Sequence, residues 1–349
     1  MAIPRISRTK RGNMAAKLDP TLVRLSPHFL LSDFMGSHSI YTRGLKNHFI
    51  DPSGSKFKEG KHLCESLLEP LLDMYGPASV AYGYISPEVS VETVSYQDPT
   101  RPSYHRWDKG AAADLCFHHA ITELSPAALA HDIDMDMDYS RMITYSESPF
   151  LCLSTQLDEG HKARKAFYEN RYQGVKGGKP LFVKKSATSV GRAKQAAELD
   201  LPHGWEGAGY PTYHGGGRKQ FQHHRISDFS VLSDYLYSTR AITEGIPNVP
   251  NMHKVADLFE QAGRVYDALL TELDIPRLSI VRAFESHRIN TDPRYSWREH
   301  FAIDFIPPDY LTASDIAHAA QGMPDVCTVA VTNGGYNEAR IYGWPRGSK

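Results

Sequence analysis

Apolar residues recur at helical spacing in two long stretches of the chain, one in each half. The first stretch carries leucines three and four positions apart and is followed by Gly76-Pro77 (Leu63, Leu67, Leu68, Leu71 and Leu72). The second stretch ends before Pro276 (Val255, Leu258, Phe259, Val265, Leu269 and Leu270). Because glycine and proline end helices, the pattern predicts one amphipathic helix in each half.

Short apolar runs, several of them rich in β-branched and aromatic residues, follow each predicted helix. They predict strands over residues 80–85 and 112–117 in the first half and over 278–284 and 302–306 in the second. A further helix is expected near Ser125-Pro126 and near Ser314-Asp315, and strand pairs over residues 141–154 and 327–343 close each half. Elements mixed in this order indicate the α+β class, with an antiparallel sheet packed on helices in each half.

The two halves also repeat one another in sequence. Leu31 to Phe34 return as Leu232 to Tyr235 after 201 positions, and Trp107 with Gly110 to Asp114 returns as Trp297 with His300 to Asp304 after 190 positions. A repeat that keeps its order predicts a duplicated structural unit. We therefore expect a basic N-terminal arm over residues 1–24, two tandem domains over 25–155 and 226–349, and a long, basic, irregular connecting segment over 156–225.

Charge is segregated along the chain although the formal net charge is only -1. Residues 1–24 carry +5, residues 161–225 carry +9, and the rest of the chain carries -15. This separation predicts that the arm and the segment 161–225 contact something acidic, such as other copies of the chain, other proteins of an assembly, or nucleic acid. The sequence shows no membrane-spanning run, no signal peptide and no cysteine pairing pattern, so we expect synthesis in the cytoplasm.

Several motifs of the first half occur in the same order in a known family. They are Leu25 to Phe34, Leu67 to Leu71, Tyr82 to Pro87, and Ser103-Tyr104-His105 followed by Gly110 to Asp114. In these motifs the chain resembles the zinc D-alanyl-D-alanine carboxypeptidases, whose fold is shared with Hedgehog signalling domains. The resemblance covers about residues 25–155 and, more weakly, 226–345. It implies two tandem peptidase-like domains.

The resemblance implies a zinc site with two alternative readings in this chain. The family's histidine ligand lies seven residues before its aspartate, where this sequence has Trp107 before Asp114 and Trp297 before Asp304. A two-residue insertion would instead keep His105 as a ligand with Asp114 and Cys152. The first reading predicts vestigial, metal-free sites whose tryptophans fill the former metal pocket (Trp107, Asp114 and Ser154; Trp297, Asp304 and Tyr342).

Other substitutions argue against hydrolysis. Ser154 stands where the family has its catalytic carboxylate, and Ile85 and Glu285 stand where it has a substrate-binding arginine. We therefore expect a structural protein without a cofactor, made of degenerate peptidase-like domains and incorporated in an assembly such as a bacteriophage virion. The alternatives are a zinc-dependent peptidoglycan peptidase and a cell-wall-binding module that does not cleave its ligand.

Overall fold

A computed structural model describes residues 19–51, 53–93, 103–118, 126–145, 150–157, 166–176, 179–186, 224–286, 288–289, 292–297, 300–332 and 337–343. The predicted α+β class is confirmed, because antiparallel sheets pack on helices. Most of the predicted arm (residues 1–18) and residues 187–223 of the connecting segment lie outside the described residues. None of the helices in the described part of the chain is long and apolar enough to cross a membrane.

The helices follow the apolar pattern of the sequence. They are α1 (His38–Arg43), α2 (Ser55–Leu63), α3 (Glu69–Tyr75), α4 (Pro87–Thr93), α5 (Pro126–Asp136), α6 (Thr239–Glu244), α7 (Met252–Leu273) and α8 (Ala313–Ala320). A π-helical stretch, Cys64–Leu68, joins α2 to α3, whereas the corresponding helix of the second half, α7, is continuous. Gly76, with a φ of 73°, ends α3 as the sequence predicts.

The strands form one short ladder and two larger sheets. They are β1 (Arg24–Ser26), β2 (Phe29–Leu30), β3 (Ala78–Tyr82), β4 (Ala111–Phe117), β5 (Arg141–Tyr145), β6 (Leu151–Thr155), β7 (Ala166–Lys176), β8 (Lys179–Ser186), β9 (Ser279–Arg282), β10 (Phe301–Ile306), β11 (Thr328–Thr332) and β12 (Glu338–Gly343). The first repeat has the order β3-β4-β6-β5 and the second has the matching order β9-β10-β12-β11, with antiparallel pairing throughout.

The prediction of an irregular connecting segment is wrong for two stretches. Residues 166–176 and 179–186 form β7 and β8, which extend the first sheet beyond β5 to six strands. β7 pairs in parallel with β5 and antiparallel with β8. The aromatic and β-branched residues of these stretches favour strands, and their many charged residues obscured that preference in the sequence.

The first repeat begins earlier than the sequence predicted. Residues 19–24, assigned to the arm, include a single turn of 3-10 helix, Pro20–Leu22, with Asp19 as its cap. Thr21 is buried, and the carbonyl of Val23 accepts a hydrogen bond from the amide of Leu31 at 2.8 Å. The folded part of the first repeat therefore starts by residue 19.

The two repeats share one continuous apolar core, which contains buried residues of both. Their contact is reciprocal: the amide of Asn47 donates to the carbonyl of Ile242 at 3.0 Å, and that of Asn248 donates to the carbonyl of Tyr41 at 2.8 Å. Asn47 and Asn248 hold matching positions, since each side-chain amide donates to two backbone carbonyls of its own repeat. Reciprocal pairs are the pattern of an isologous interface around an approximate two-fold axis.

Candidate functional site

His105, Asp114 and Cys152 converge on one face of the first sheet. Asp114 of β4 and Cys152 of β6 are directly opposite each other, and His105 belongs to the loop that precedes β4. One potential ligand atom from each of these three residues lies within 4.8 Å of the others. The neighbouring residues of both strands point into the helix-facing core (Ala111, Ala113, Leu115, Phe117, Leu151 and Leu153). The trio therefore lies on the face away from the helices.

Backbone contacts fix the orientation of the His105 ring. Its Nδ1 lies 2.9 Å from the carbonyl oxygen of Gly83, which can only accept, so Nδ1 carries the proton. The Nε2 lone pair then faces Asp114 Oδ1 and Cys152 Sγ, each at 3.7 Å. Burial lowers the pKa of His105, although the charge of Asp114 opposes this, and the lowered pKa favours the neutral ring. A neutral imidazole with its second nitrogen anchored is the usual state of a metal-binding histidine.

The two separations from His105 Nε2 are compatible with zinc. Zinc bonds of about 2.0–2.3 Å in tetrahedral geometry separate neighbouring ligand atoms by roughly 3.3–3.8 Å. The two 3.7 Å separations fall in that range. A thiolate favours zinc over magnesium or calcium, which prefer ligands made only of oxygen. Among the residues that the structure describes, no fourth His, Cys, Asp or Glu joins the group.

The tryptophans lie in the helix-facing core, so the prediction that they fill a former metal pocket at the sheet face is wrong. The Trp107 ring lies in the helix-facing core, with ring centres 5.6–5.8 Å from those of Phe34, Phe49 and Tyr84. Trp297 packs in the same way against Phe259. Both tryptophans have left-handed backbones, with φ of 56° and 48°. This left-handed turn directs each indole ring toward the helices. The residue two positions earlier, which is His105 or Tyr295, remains at the sheet face.

Ser154 and Ile85, which the resemblance singled out, are both buried. The hydroxyl of Ser154 is fully buried and donates to the carbonyl of Arg141 at 3.0 Å. Ile85 is buried in the core. Serine has no carboxylate to move protons and isoleucine has no charge to hold a substrate. Neither side chain can therefore act as a general base or carry a charge at the first site.

The second repeat places a charged network at the matching positions. Tyr295 lies two residues before Trp297, as His105 does before Trp107, and Arg340 is opposite Asp304, as Cys152 is opposite Asp114. The carbonyls of His105 and Tyr295 also accept equivalent amide hydrogen bonds, from Ile85 at 2.8 Å and from Glu285 at 2.9 Å. His105, Asp114 and Cys152 thus correspond to Tyr295, Asp304 and Arg340.

Asp304 is neutralised by a side-chain cation. Arg340 donates from Nε to Oδ1 at 2.6 Å and from Nη2 to Oδ2 at 2.8 Å, and the Tyr295 hydroxyl donates to Oδ2 at 2.6 Å. Asp304 is only 3% exposed, and its hydrogen bonds raise the pKa of Arg340. The guanidinium of Arg282 stacks on the Tyr295 ring at 3.7 Å. A bidentate arginine in this position leaves the carboxylate no role as a metal ligand.

The remaining predicted site residues are peripheral. Tyr342 corresponds to Ser154 in the strand register, and its hydroxyl accepts a hydrogen bond from Arg294 at 3.1 Å. His118, which follows the same strand as Asp114, is only 2% exposed and lies 2.8 Å from the Ser79 hydroxyl. Sequence reasoning missed the roles of Tyr295 and Arg340. The signal was available, because Tyr295 and His105 each precede the repeated tryptophan by two positions.

Comparison of the chain with protein-family models, with curated proteins and with solved structures finds no match in any of the three.

Proposed function

We propose that the protein is a non-hydrolytic structural component, built from two tandem peptidase-like domains, whose first domain binds zinc for stability. One observation carries this proposal. In the first repeat, Asp114 of β4 lies between the loop residue His105 and Cys152 of β6. In the second repeat, Asp304 of β10 lies in the same way between the loop residue Tyr295 and Arg340 of β12.

The second repeat supports a structural role for the first site. Its Arg340–Asp304–Tyr295 network joins the loop, β10 and β12 without any ligand. Zinc held by His105, Asp114 and Cys152 would join the loop, β4 and β6 in the same way. When bound, zinc supplies a central positive charge that the thiolate and carboxylate require. A cation that cross-links three elements stabilises the fold whether or not it acts on a substrate.

An assembly role follows from the charge distribution. The arm and the segment 161–225 are basic, whereas the rest of the chain carries -15. We propose that these basic parts contact acidic surfaces of neighbouring copies or of other assembly proteins, with nucleic acid as a further partner, and that the assembly is a bacteriophage virion. A duplicated fold with a structural metal and a core shared between its repeats is a rigid unit suited to such a particle.

Metal removal tests the structural role. The full chain is treated with a chelator at pH 7.5, and its melting temperature is compared with that of zinc-loaded protein. We expect the melting temperature to fall on chelation and to recover with zinc, because a metal that binds only the folded state stabilises it. Cys152→Ser protein should show little response. The same melting temperature with and without zinc would contradict the proposal.

A zinc peptidase is the second candidate, and the three converging ligand atoms favour it. His105, Asp114 and Cys152 would hold zinc, and the metal would supply a polarised water for attack on a peptide carbonyl. The hydroxyl of Ser154 cannot move the protons that this reaction needs. Hydrolysis of peptidoglycan peptides by the zinc-loaded chain, lost in His105→Ala protein, would favour the peptidase over the structural role.

A further inference from the structure

The second sheet ends in an edge strand, β11. No strand among the described residues pairs with the outer edge of β11, whereas its inner edge pairs with β12 in regular register over all five positions. Val331 of this strand is an apolar side chain that is 37% exposed. An edge strand presents unpaired backbone amides and carbonyls to any strand that approaches it. The outer edge of β11 is therefore a surface on which a further strand can pair.

The first repeat shows that this edge of the fold accepts a strand. Because the two sheets have matching strand orders, β11 of the second repeat corresponds to β5 of the first. The outer edge of β5 is occupied by β7, which pairs with it in parallel, and β8 follows β7. In the part of the chain that the structure describes, the second sheet has no such addition. The same edge is thus filled in one repeat and open in the other.

The two outer strands differ in how they are protected against pairing with another chain. β8, which ends the first sheet, contains a proline and three lysines (Pro180, Lys179, Lys184 and Lys185). Proline and lysine on an edge strand discourage contact between sheet edges. β11 reads Thr-Val-Ala-Val-Thr and contains no charge, proline or glycine. Four of its five residues are β-branched and favour strand pairing.

The sequence of β11 is the same in both directions, which makes the strand complementary to itself. If two copies pair antiparallel with Ala330 on the axis, Val329 lies opposite Val331 of the other copy. Thr328 lies opposite Thr332 in the same way. Pairs of β-branched residues and pairs of threonines are favourable across strands, and no like charges meet. A two-fold interface requires this self-complementarity, so a second copy of the chain is the partner that fits.

We propose that β11 is a dimer interface, at which two copies of the chain pair antiparallel around a two-fold axis at Ala330. The pairing joins the two four-stranded second sheets into one continuous sheet. It buries the exposed edge of Val331 and uses neither the zinc ligands nor the basic segments. The contact is held by backbone hydrogen bonds and apolar side chains, so it does not depend on charge.

Sedimentation equilibrium of the full chain over a series of concentrations tests the proposal. The buffer contains about 0.5 M sodium chloride, because this salt screens contacts between exposed charges. We expect a dimer for the wild type. Val331→Lys should raise its dissociation constant about tenfold or more, because a lysine on the edge strand opposes pairing. Val91→Lys, at a 51% exposed valine of α4, adds the same charge elsewhere and should leave the dimer unchanged.

A disulfide cross-link tests the register. Ala330→Cys, made together with Cys327→Ser, should give an intermolecular disulfide on air oxidation. Residues directly opposite in an antiparallel pair have Cα atoms about 4.5–5.5 Å apart, which suits a disulfide. The native Cys327 is exposed but lies three positions from the axis, which separates the two copies by roughly 20 Å along the strands. Wild-type protein should therefore not cross-link through it.

The remaining outcomes also decide the question. If Val331→Lys does not fold, the cross-link of the Ala330→Cys protein decides alone. A wild-type chain that stays monomeric at every concentration would overturn the proposal. A dimer that resists Val331→Lys and gives no cross-link at position 330 would place the contact on another surface and would also overturn it. Cys152→Ser protein should dimerise as the wild type does, which separates this proposal from the zinc site.

Discussion

At the scale of single residues, Trp107 depends on a glycine of the facing helix. A Cβ atom built at Gly60 of α2 would lie 2.1 Å from Cζ3 of the Trp107 ring, far inside van der Waals contact. The ring is fully buried and also contacts Phe34, Phe49 and Tyr84, so it has little room to move. Gly60 therefore sets the distance between α2 and the loop that carries His105.

Gly60→Ala should destabilise the protein, although alanine is the better helix former. The gain in helix propensity is about 1 kcal/mol, whereas overpacking a filled core costs about 1–3 kcal/mol and displaces the loop. We expect a net loss in the free energy of unfolding, measured by urea denaturation, and weaker zinc binding. Lys61→Ala, on the exposed side of the same helix, serves as the control and should change stability by less than about 0.5 kcal/mol. An unchanged or raised stability for Gly60→Ala would show that the ring can move aside.

The assignment of His105 shows what spacing along the sequence can and cannot predict. The spacing from Asp114 favoured Trp107, and the recurrence of this tryptophan in the second repeat strengthened that reading. The left-handed turn at Trp107 reverses the direction of its side chain, and such a turn at a bulky residue has no clear sequence signal. The residue types of the cluster were predictable, and the choice between His105 and Trp107 required the backbone.

At the scale of secondary-structure elements, the repeated helices and strands were predictable. The apolar periodicity and the glycine and proline residues at the ends of the apolar stretches indicate the same element boundaries. The helices ending at Tyr75 and at Leu273 lie where the apolar pattern puts them. β7 and β8 were missed because their many charged residues obscured the local strand preference, and their pairing with β5 and with each other is not visible in the sequence. The parallel pairing of β7 is a long-range feature that alternation in the sequence does not encode.

Substitutions at Tyr295 and Arg340 test whether the two sites are equivalent. Tyr295→His together with Arg340→Cys would give the second repeat the ligand set of the first. We expect the zinc content to rise from about one to about two ions per chain, because Asp304 already lies between these positions. Tyr295→Phe with Arg340→Met, which removes the network but adds no ligand, should leave it at about one. No additional zinc in a folded His/Cys variant would count against the matching of the two sites.

At the scale of the whole molecule, the interface between the repeats combines a shared apolar core with one buried ion pair. Arg277 is 6% exposed, lies 3.1 Å from Asp33, and also donates to the carbonyl of Ala78. The duplication was visible in the sequence, but this interface was not. Asp33 and Arg277 are far apart in the sequence, and only the packing of the repeats brings them together.

Arg277→Met should weaken the protein much more than the loss of an exposed ion pair would. Removing one partner leaves the Asp33 charge buried, which costs about 3–5 kcal/mol. Lys61→Met, which breaks the exposed Lys61–Glu65 pair, should cost less than about 1 kcal/mol. Adding Asp33→Asn to Arg277→Met should recover part of the loss, since no uncompensated charge remains. Equal effects of the two single variants in chemical denaturation would mean that Arg277 is dispensable to the interface.

The zinc content of the purified full chain tests the central claim most directly. The protein is loaded with zinc, freed of weakly bound metal by gel filtration, and analysed by inductively coupled plasma mass spectrometry beside His105→Ala and Cys152→Ser variants. We predict about one zinc ion per wild-type chain and strongly reduced zinc in both variants. Cobalt in place of zinc should also give a thiolate-to-metal absorption band that Cys152→Ser lacks. Wild-type protein without zinc, or zinc retained in both variants, would contradict the account.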